Sequence, residues 1–263
     1  MVELSVVDLM IAATLVLLLA LLSLRLQSNI SQQLIIASIR TAVQLTLIGL
    51  VLKVLFANAS LGWVMLLSIV MLLVAGREVM ARQERRFTGW WGYAVGTFSM
   101  FLSSFAVTVF ALVVILGEDP WYTPQYAIPL LGMLLGNTMN GIAIAMDRLT
   151  HTAWEQRGII EARLMLGERW DEAISEYKRQ AIRSGMIPII NAMAAAGIVS
   201  LPGMMTGQIL AGAPPVEAVK YQILIMFLIS AGTGLGTLAA VSIGSRHLFD
   251  ERQRLCLDRL RQP

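Results

Sequence analysis

The sequence predicts an all-α, polytopic membrane protein of about seven transmembrane helices, and three observations predict it. First, 57% of the 263 residues are apolar, only 14% are charged and the mean hydropathy is +0.70, whereas soluble chains average about 25% charged residues. Charged side chains this sparse cannot cover the exterior of a soluble globule of this size. Second, charge-free runs recur at the length of a membrane span. Third, 17 of the 20 lysine and arginine residues fall in alternate connections between those runs. The single cysteine, Cys256, excludes a disulfide framework within the chain and a zinc site built from paired cysteines.

A helix needs about 20 mostly apolar residues to cross a hydrocarbon core about 30 Å thick. Seven runs qualify, at roughly 9–24, 34–56, 61–76, 93–116, 126–146, 185–213 and 221–244. The first has Glu3 and Asp8 before it and no basic residue until Arg25, so it lacks the basic start of a cleavable signal peptide and reads as a retained span. The third is short. The sixth is too long and holds two prolines. The seventh leads into a charged tail at 245–263.

Basic residues accumulate in short loops on the cytoplasmic side. Arg25 follows span one, Arg77, Arg82, Arg85 and Arg86 follow span three, seven follow span five, and five end the chain. The connections at 57–60 and 117–125 and the Pro214-Pro215 turn carry none. The expected topology is N-terminus outside and C-terminus cytoplasmic, multi-pass in a cell's inner membrane, with membrane lipid as the surrounding partner. This bias also accounts for the basic net charge. Nucleic-acid binding would need a basic soluble face with interleaved aromatics, which is absent.

The one long polar connection, 147–184, is helical in composition. Its first helix is expected to hold Glu161, Ala162, Leu164 and Leu166 and to stop at Gly167, where glycine takes the left-handed conformation that closes a helix. A second is expected from about Trp170 to Ile182, with Trp170, Ile174, Tyr177 and Ala181 in one apolar stripe. That stripe fits the lipid surface or the protein's own spans as readily as a partner.

The spacing Glu161-Ala162-x-x-x-x-Gly167, followed by Ile187-Pro188, resembles the coupling loop of ABC transporter permeases, with Arg163 replacing that motif's second alanine. The stretches from Ile128 to Met139, from Ser200 to Gly207 and from Ala218 to Gln222 are similar to an ABC family assigned to iron export and related to plant half-size proteins linked to aluminium tolerance. Arg40 to Leu45 and Val51 to Lys53 share the likeness, which covers about residues 35–235. The resemblance implies a single permease domain over 1–263 that pairs with a second copy and with a separate ATPase chain. Glu161, Ala162, Leu166, Gly167 and Trp170 would then meet the ATPase. It also implies no cofactor on this chain, with ATP and magnesium on the partner, and export of iron or another metal.

Pro188 and Pro202 interrupt the sixth run, and a proline inside a helix removes a backbone hydrogen bond. Broken helices are tolerated at membrane depth where they face protein or a water-filled cavity. A break at Pro202 therefore makes Pro202, Gly203, Met204, Met205 and Gly207 candidates for a gate or pathway. A packing kink is the alternative. Asn137, Asn140 and Asn191 join the pathway candidates because polar groups at mid-membrane need partners. In span two Arg40 and Gln44 are four residues apart, and Arg40 is expected to snorkel toward the cytoplasmic surface. Four Gly-x-x-x-Gly spacings, starting at Gly92, Gly132, Gly203 and Gly232, fit close helix packing.

No Asp, Glu or His lies in the middle of a span, so a metal site is not defined by these residues. Methionines such as Met133, Met139, Met204, Met205 and Met226 offer soft thioethers but also fill gaps in apolar interiors. The chain has no Gly-x-x-x-x-Gly-Lys-Ser/Thr loop, so it does not cradle nucleotide phosphates in that way. It has no nucleophile-base pair and no paired aspartates within the spans, which argues against an intramembrane enzyme. A passive channel, or a permease for a non-metal solute, is the remaining alternative.

Overall fold

The computed structural model describes residues 5–25, 30–57 and 60–261, which are predominantly helical with no strands among them. Among the described residues six helical segments are long and apolar enough to cross a membrane: Val7–Arg25, Ser31–Ala57, Leu61–Ala81, Trp91–Leu116, Pro124–Glu155 and Pro215–His247. The sixth expected span, 185–213, is present in two helical pieces separated at 196–202. The chain resolves into two compact units, Met1–Ser60 and Leu61–Pro263. In the first, α1 (Val6–Arg25) packs on α2 (Ile30–Ala57).

The second unit is built around α6 (Pro124–Glu155), a 32-residue helix, about 48 Å at helical rise. Around it pack α3 (Leu61–Ala81), α4 (Trp91–Met100), α9 (Ser175–Ala195) and α11 (Pro215–His247). Small residues set the closeness of these crossings. A Cβ on Gly236 would lie 2.5 Å from Thr138 and 2.7 Å from Ser103, and one on Gly96 3.0 Å from Val79. Of the four expected Gly-x-x-x-Gly spacings, those at Gly92 and Gly232 are true close contacts. Gly203 and Gly207 have nothing within 4 Å of an added Cβ, so that spacing serves no helix packing here.

The fourth span is not a plain α-helix. After α4 the turns Phe101–Phe105 and Ala111–Leu116 are π-helical, with α5 (Ala106–Phe110) between them. The hydroxyl of Ser103 donates to the carbonyl of Ser99 at 2.8 Å, and that of Thr108 to Ser104 at 2.6 Å. A side chain that occupies the i−4 carbonyl competes with the backbone N–H for it and bends or widens the helix there.

Beyond α6 come α7 (Arg157–Met165) and the one-turn α8 (Trp170–Ala173). The expected helix from Trp170 to Ile182 is instead divided at Ile174, and its second part is the beginning of α9, which runs unbroken into the sixth span. Pro188 does not stop α9. It has no N–H to give the carbonyl of Ser184, but its ring faces an open side, so the helix loses one bond and continues. The break lies at 196–202. Gly197 takes φ +81, and the N–H groups of Val199 and Ser200 turn back to the carbonyl of Ala195 at 3.0 and 3.1 Å. Pro202 is the last residue of this break and caps α10 (Gly203–Leu210). A left-handed glycine ends one helix and a proline starts the next, the usual asymmetry of helix termini. α10 then packs along α11 after a turn through Gly212, at φ +95, and Pro214.

The C-terminal residues are not a loose tail. Leu248, Phe249 and Leu260 are buried, and the segment lies along the α3–α4 connection: Phe87 pairs with Leu260, and the N–H of Thr88 donates to Arg259 O at 2.8 Å. The Arg259 guanidinium donates to the carbonyl of His247 at 2.7 Å, tying the segment to the end of α11. The imidazole of His247 is stacked on Trp91 at 4.3 Å.

Candidate functional site

Three features of the second unit bring the residues expected to be functional into a geometry. The first is the α7–α8 connection. Ile160 is fully buried and anchors α7, and the Arg163 guanidinium donates to Ala173 O at 3.2 Å while pairing with Glu168 at 2.8 Å. Gly167 takes φ +94, which an L side chain rarely adopts, and closes the helix as the glycine rule requires. The opposite side of α7 is open. Met165 and Leu166 are 82% and 85% exposed, and Ile159, Glu161, Ala162 and Gly167 are exposed beside them.

Trp170 stands apart from these. Its ring is half-buried against Phe249 at 5.7 Å, the Arg246 guanidinium lies 5.0 Å from its centroid, and its backbone N–H donates to Gln253 Oε1 at 3.1 Å. These contacts hold the connection to the C-terminal segment.

The second feature is a cleft of about 520 Å³ between the end of α3, the second half of α6 and the middle of α9, lined by Arg82, Glu84, Asn140, Asp147, Arg148, His151, Ser184 and Pro188 among others. The Arg82 guanidinium donates to the Asn140 side-chain oxygen, and the N–H of Glu84 donates to Asp147 Oδ1 at 2.8 Å. His151 pairs with Glu155 at 3.2 Å. The carbonyl of Ser184, which Pro188 cannot satisfy, belongs to a residue of the same cleft. Asn137 is one turn along α6 from Asn140, and its amide donates to Met133 O at 2.8 Å. Asn191 is one turn along α9 from Pro188, exposed, with no side-chain hydrogen bond among the described residues.

The third feature is a cavity of about 290 Å³ between α10, α6 and α11, lined by Met133, Met204, Gln208, Gln125, Tyr126 and Tyr221 with aliphatic neighbours. Pro129 lines it too, and as a proline within α6 it leaves the carbonyl of Gln125 without its helical donor. The Gln208 Oε1 is buried without a partner. Met205 is buried, whereas Pro202, Gly203 and Gly207 lie at the ends and outer side of α10 and do not line the cavity.

Sequence reasoning had Asn140, Asn137, Met133 and Met204 separately, but not the charged wall of Arg82, Glu84, Asp147, Arg148 and His151. The signal was there. Asn137, Asn140, Ile144, Arg148 and His151 recur at three- and four-residue steps and form one stripe of α6. Arg40 and Gln44 lie on α2 of the first unit, both exposed. No group of three or more His, Cys, Asp or Glu side chains that could hold a metal ion occurs among the described residues.

The model of the uncharacterised protein family UPF0014 matches residues 6–249. Among similar proteins, the UPF0014 membrane protein slr1647 of Synechocystis is 40% identical over 231 residues, covering 86% of this chain and 87% of its own. The Protein ALUMINUM SENSITIVE 3 of Arabidopsis thaliana is 32% identical, covering 88% and 81%. The Probable iron export permease protein FetB of Escherichia coli is 31% identical, covering 85% and 84%. No solved structure matches the chain.

Proposed function

The chain belongs to the UPF0014 family, and from that premise we propose that it is the membrane-spanning permease subunit of an ABC transporter. A separate ATPase chain docks on the 147–184 connection and carries ATP and magnesium. This chain holds no cofactor and works as a homodimer in the inner membrane, its C-terminus on the cytoplasmic side. The name of the Escherichia coli relative supports export of iron as the transported substrate.

The observation that carries this reading is the contrast across α7. One side is locked by Ile160 and the Arg163 bonds, while the other offers Met165 and Leu166 almost fully exposed at the tip of the connection. Isolated exposed apolar side chains are ordinary, but two at the end of a firmly seated helix, in a connection with seven basic and seven acidic residues, form a knob that a partner groove can take. A seated helix also transmits motion, since Trp170 and Gln253 link it to the end of α11.

The test is co-purification of an ATPase chain with this protein in lipid, followed by ATPase assays across iron(II), iron(III), copper(I), aluminium and organic solutes. Stimulation by a metal supports the reading. Failure of any ATPase to associate sinks it and leaves a passive channel as the explanation of the pathway residues.

A further inference from the structure

We propose that the open face shared by α6 and α9 is where a second copy of this chain sits, so that two such faces enclose one polar pathway. The inference deepens the permease reading by assigning the dimer face.

Three observations on the second unit carry it. Asn140 and Asn191 are exposed, with Ser184 half-exposed between them, although they lie within spans. Asn191 is eight residues from Arg183, about 12 Å of helix, and Asn140 is seven from Asp147, about 10 Å. With the charged residues at the membrane boundary, these amides reach well into a core about 30 Å thick. Lipid offers an amide no hydrogen-bond partner, so polar side chains at this depth face protein or water.

The break at 196–202 is exposed as well, with Ile198 88% and Val199 83% exposed beside non-helical backbone. Irregular backbone at membrane depth does not face lipid directly. The break begins five residues beyond Asn191, directly at the end of α9, so one covering element accounts for the amides and the break together.

The wall at the basic end mixes signs: Arg82, Arg148 and His151 with Glu84 and Asp147. A two-fold contact brings a patch against itself, and a patch of one sign would repel its own copy, whereas this one is self-complementary. An unrelated acidic or basic partner would have no such reason to find both signs. Facing clefts of about 520 Å³ each would form the polar mouth of the pathway, which makes the site incomplete in one copy.

The experiment uses the full chain in membranes with Cys256→Ser, which removes the native cysteine. Asn191→Cys and Ile198→Cys are introduced singly, with Phe227→Cys, 66% exposed on α11, as the lipid-facing comparison. Oxidative or bis-maleimide crosslinking is expected to give a covalent dimer at 191 or 198, at least fivefold above 227. A spin label at 191 should be reached by a water-soluble nickel relaxant rather than by oxygen. Oxygen access at 191 equal to that at 227 would place the face in lipid and overturn the proposal. Water access without a crosslink at either position would overturn the second copy as occupant. Neither readout requires the ATPase, so a failed crosslink leaves the docking of α7 intact, and a failed co-purification leaves this face intact.

Discussion

A Cβ on Gly185 would lie 2.5 Å from the carbonyl oxygen of Gly141, so α9 and α6 touch backbone to backbone at this point. The same atom would meet Ala145 at 2.9 Å and Thr237 of α11 at 3.1 Å, and a Cβ on Gly141 would meet Thr233 at 2.6 Å. Three helices therefore share one contact that only glycine fits. It sets α9 against α6 in the register that forms the Asn140–Ser184 cleft.

Gly185→Ala should therefore cost about 1–3 kcal/mol by overpacking against rigid backbone. Gly136→Ala on the same central helix, where an added Cβ meets nothing, should be near neutral or slightly favourable. Thermal unfolding of the two variants in detergent checks this. Equal midpoints would show that the crossing yields.

Leu166→Asp changes a side chain that touches little in this chain, so stability should stay within about 0.5 kcal/mol. Association with the ATPase should fall about tenfold or more, as expected for a central interface anchor. Gly167→Val should add strain of about 1–2 kcal/mol at φ +94 and uncouple ATP hydrolysis from transport. Titration of the ATPase onto reconstituted protein reads the first, and hydrolysis measured alongside transport reads the second.

Leu260→Ala removes a buried side chain from the core cluster that also holds Phe87, and should cost about 2–4 kcal/mol. Because the C-terminal segment also holds Trp170 through Gln253, this variant should raise hydrogen exchange in α8 as well as around Phe87. Exchange confined to 250–261 would show that the link to α8 carries no mechanical weight.

The carboxyl of Asp250 is held below its ordinary range, first by the backbone N–H of Arg254 at 2.8 Å and then by that residue's guanidinium. A depressed carboxyl contributes stability in full above its unfolded value of 3.8 and loses it as pH falls through the lower folded value. The 250–254 turn that presents Gln253 should therefore loosen only in that acidic window. Amide exchange at Trp170 reports it, and Asp250→Asn should abolish the pH dependence.

Met204→Trp should fill the cavity between α10, α6 and α11, reducing transport at least tenfold with little change in stability. Met205 is buried outside that cavity, and Met205→Leu should leave transport unchanged. Flux through reconstituted vesicles separates the two.

By itself the sequence determined the solvent, the spans and the closing of α7. Apolar run length and the scarcity of charge are properties of local sequence, so the lipid-spanning helices were legible without contacts. Gly167 ended its helix because a left-handed conformation is a local demand. The break at Pro202 was legible too; only the tertiary structure decided that Pro188 leaves α9 continuous, its ring lying on an open side, and that the break reaches back to residue 196. The tertiary fold alone also brought Arg82 to Asn140, laid Leu260 against Phe87 and set the Trp170 ring beside Phe249. These pairs are 58, 173 and 79 positions apart in the chain. Hydropathy and spacing register what a residue demands of its own helix. Which distant residue answers that demand is fixed by how the helices cross, and here that is set by glycines such as Gly141 and Gly185 whose role shows only when the backbones meet.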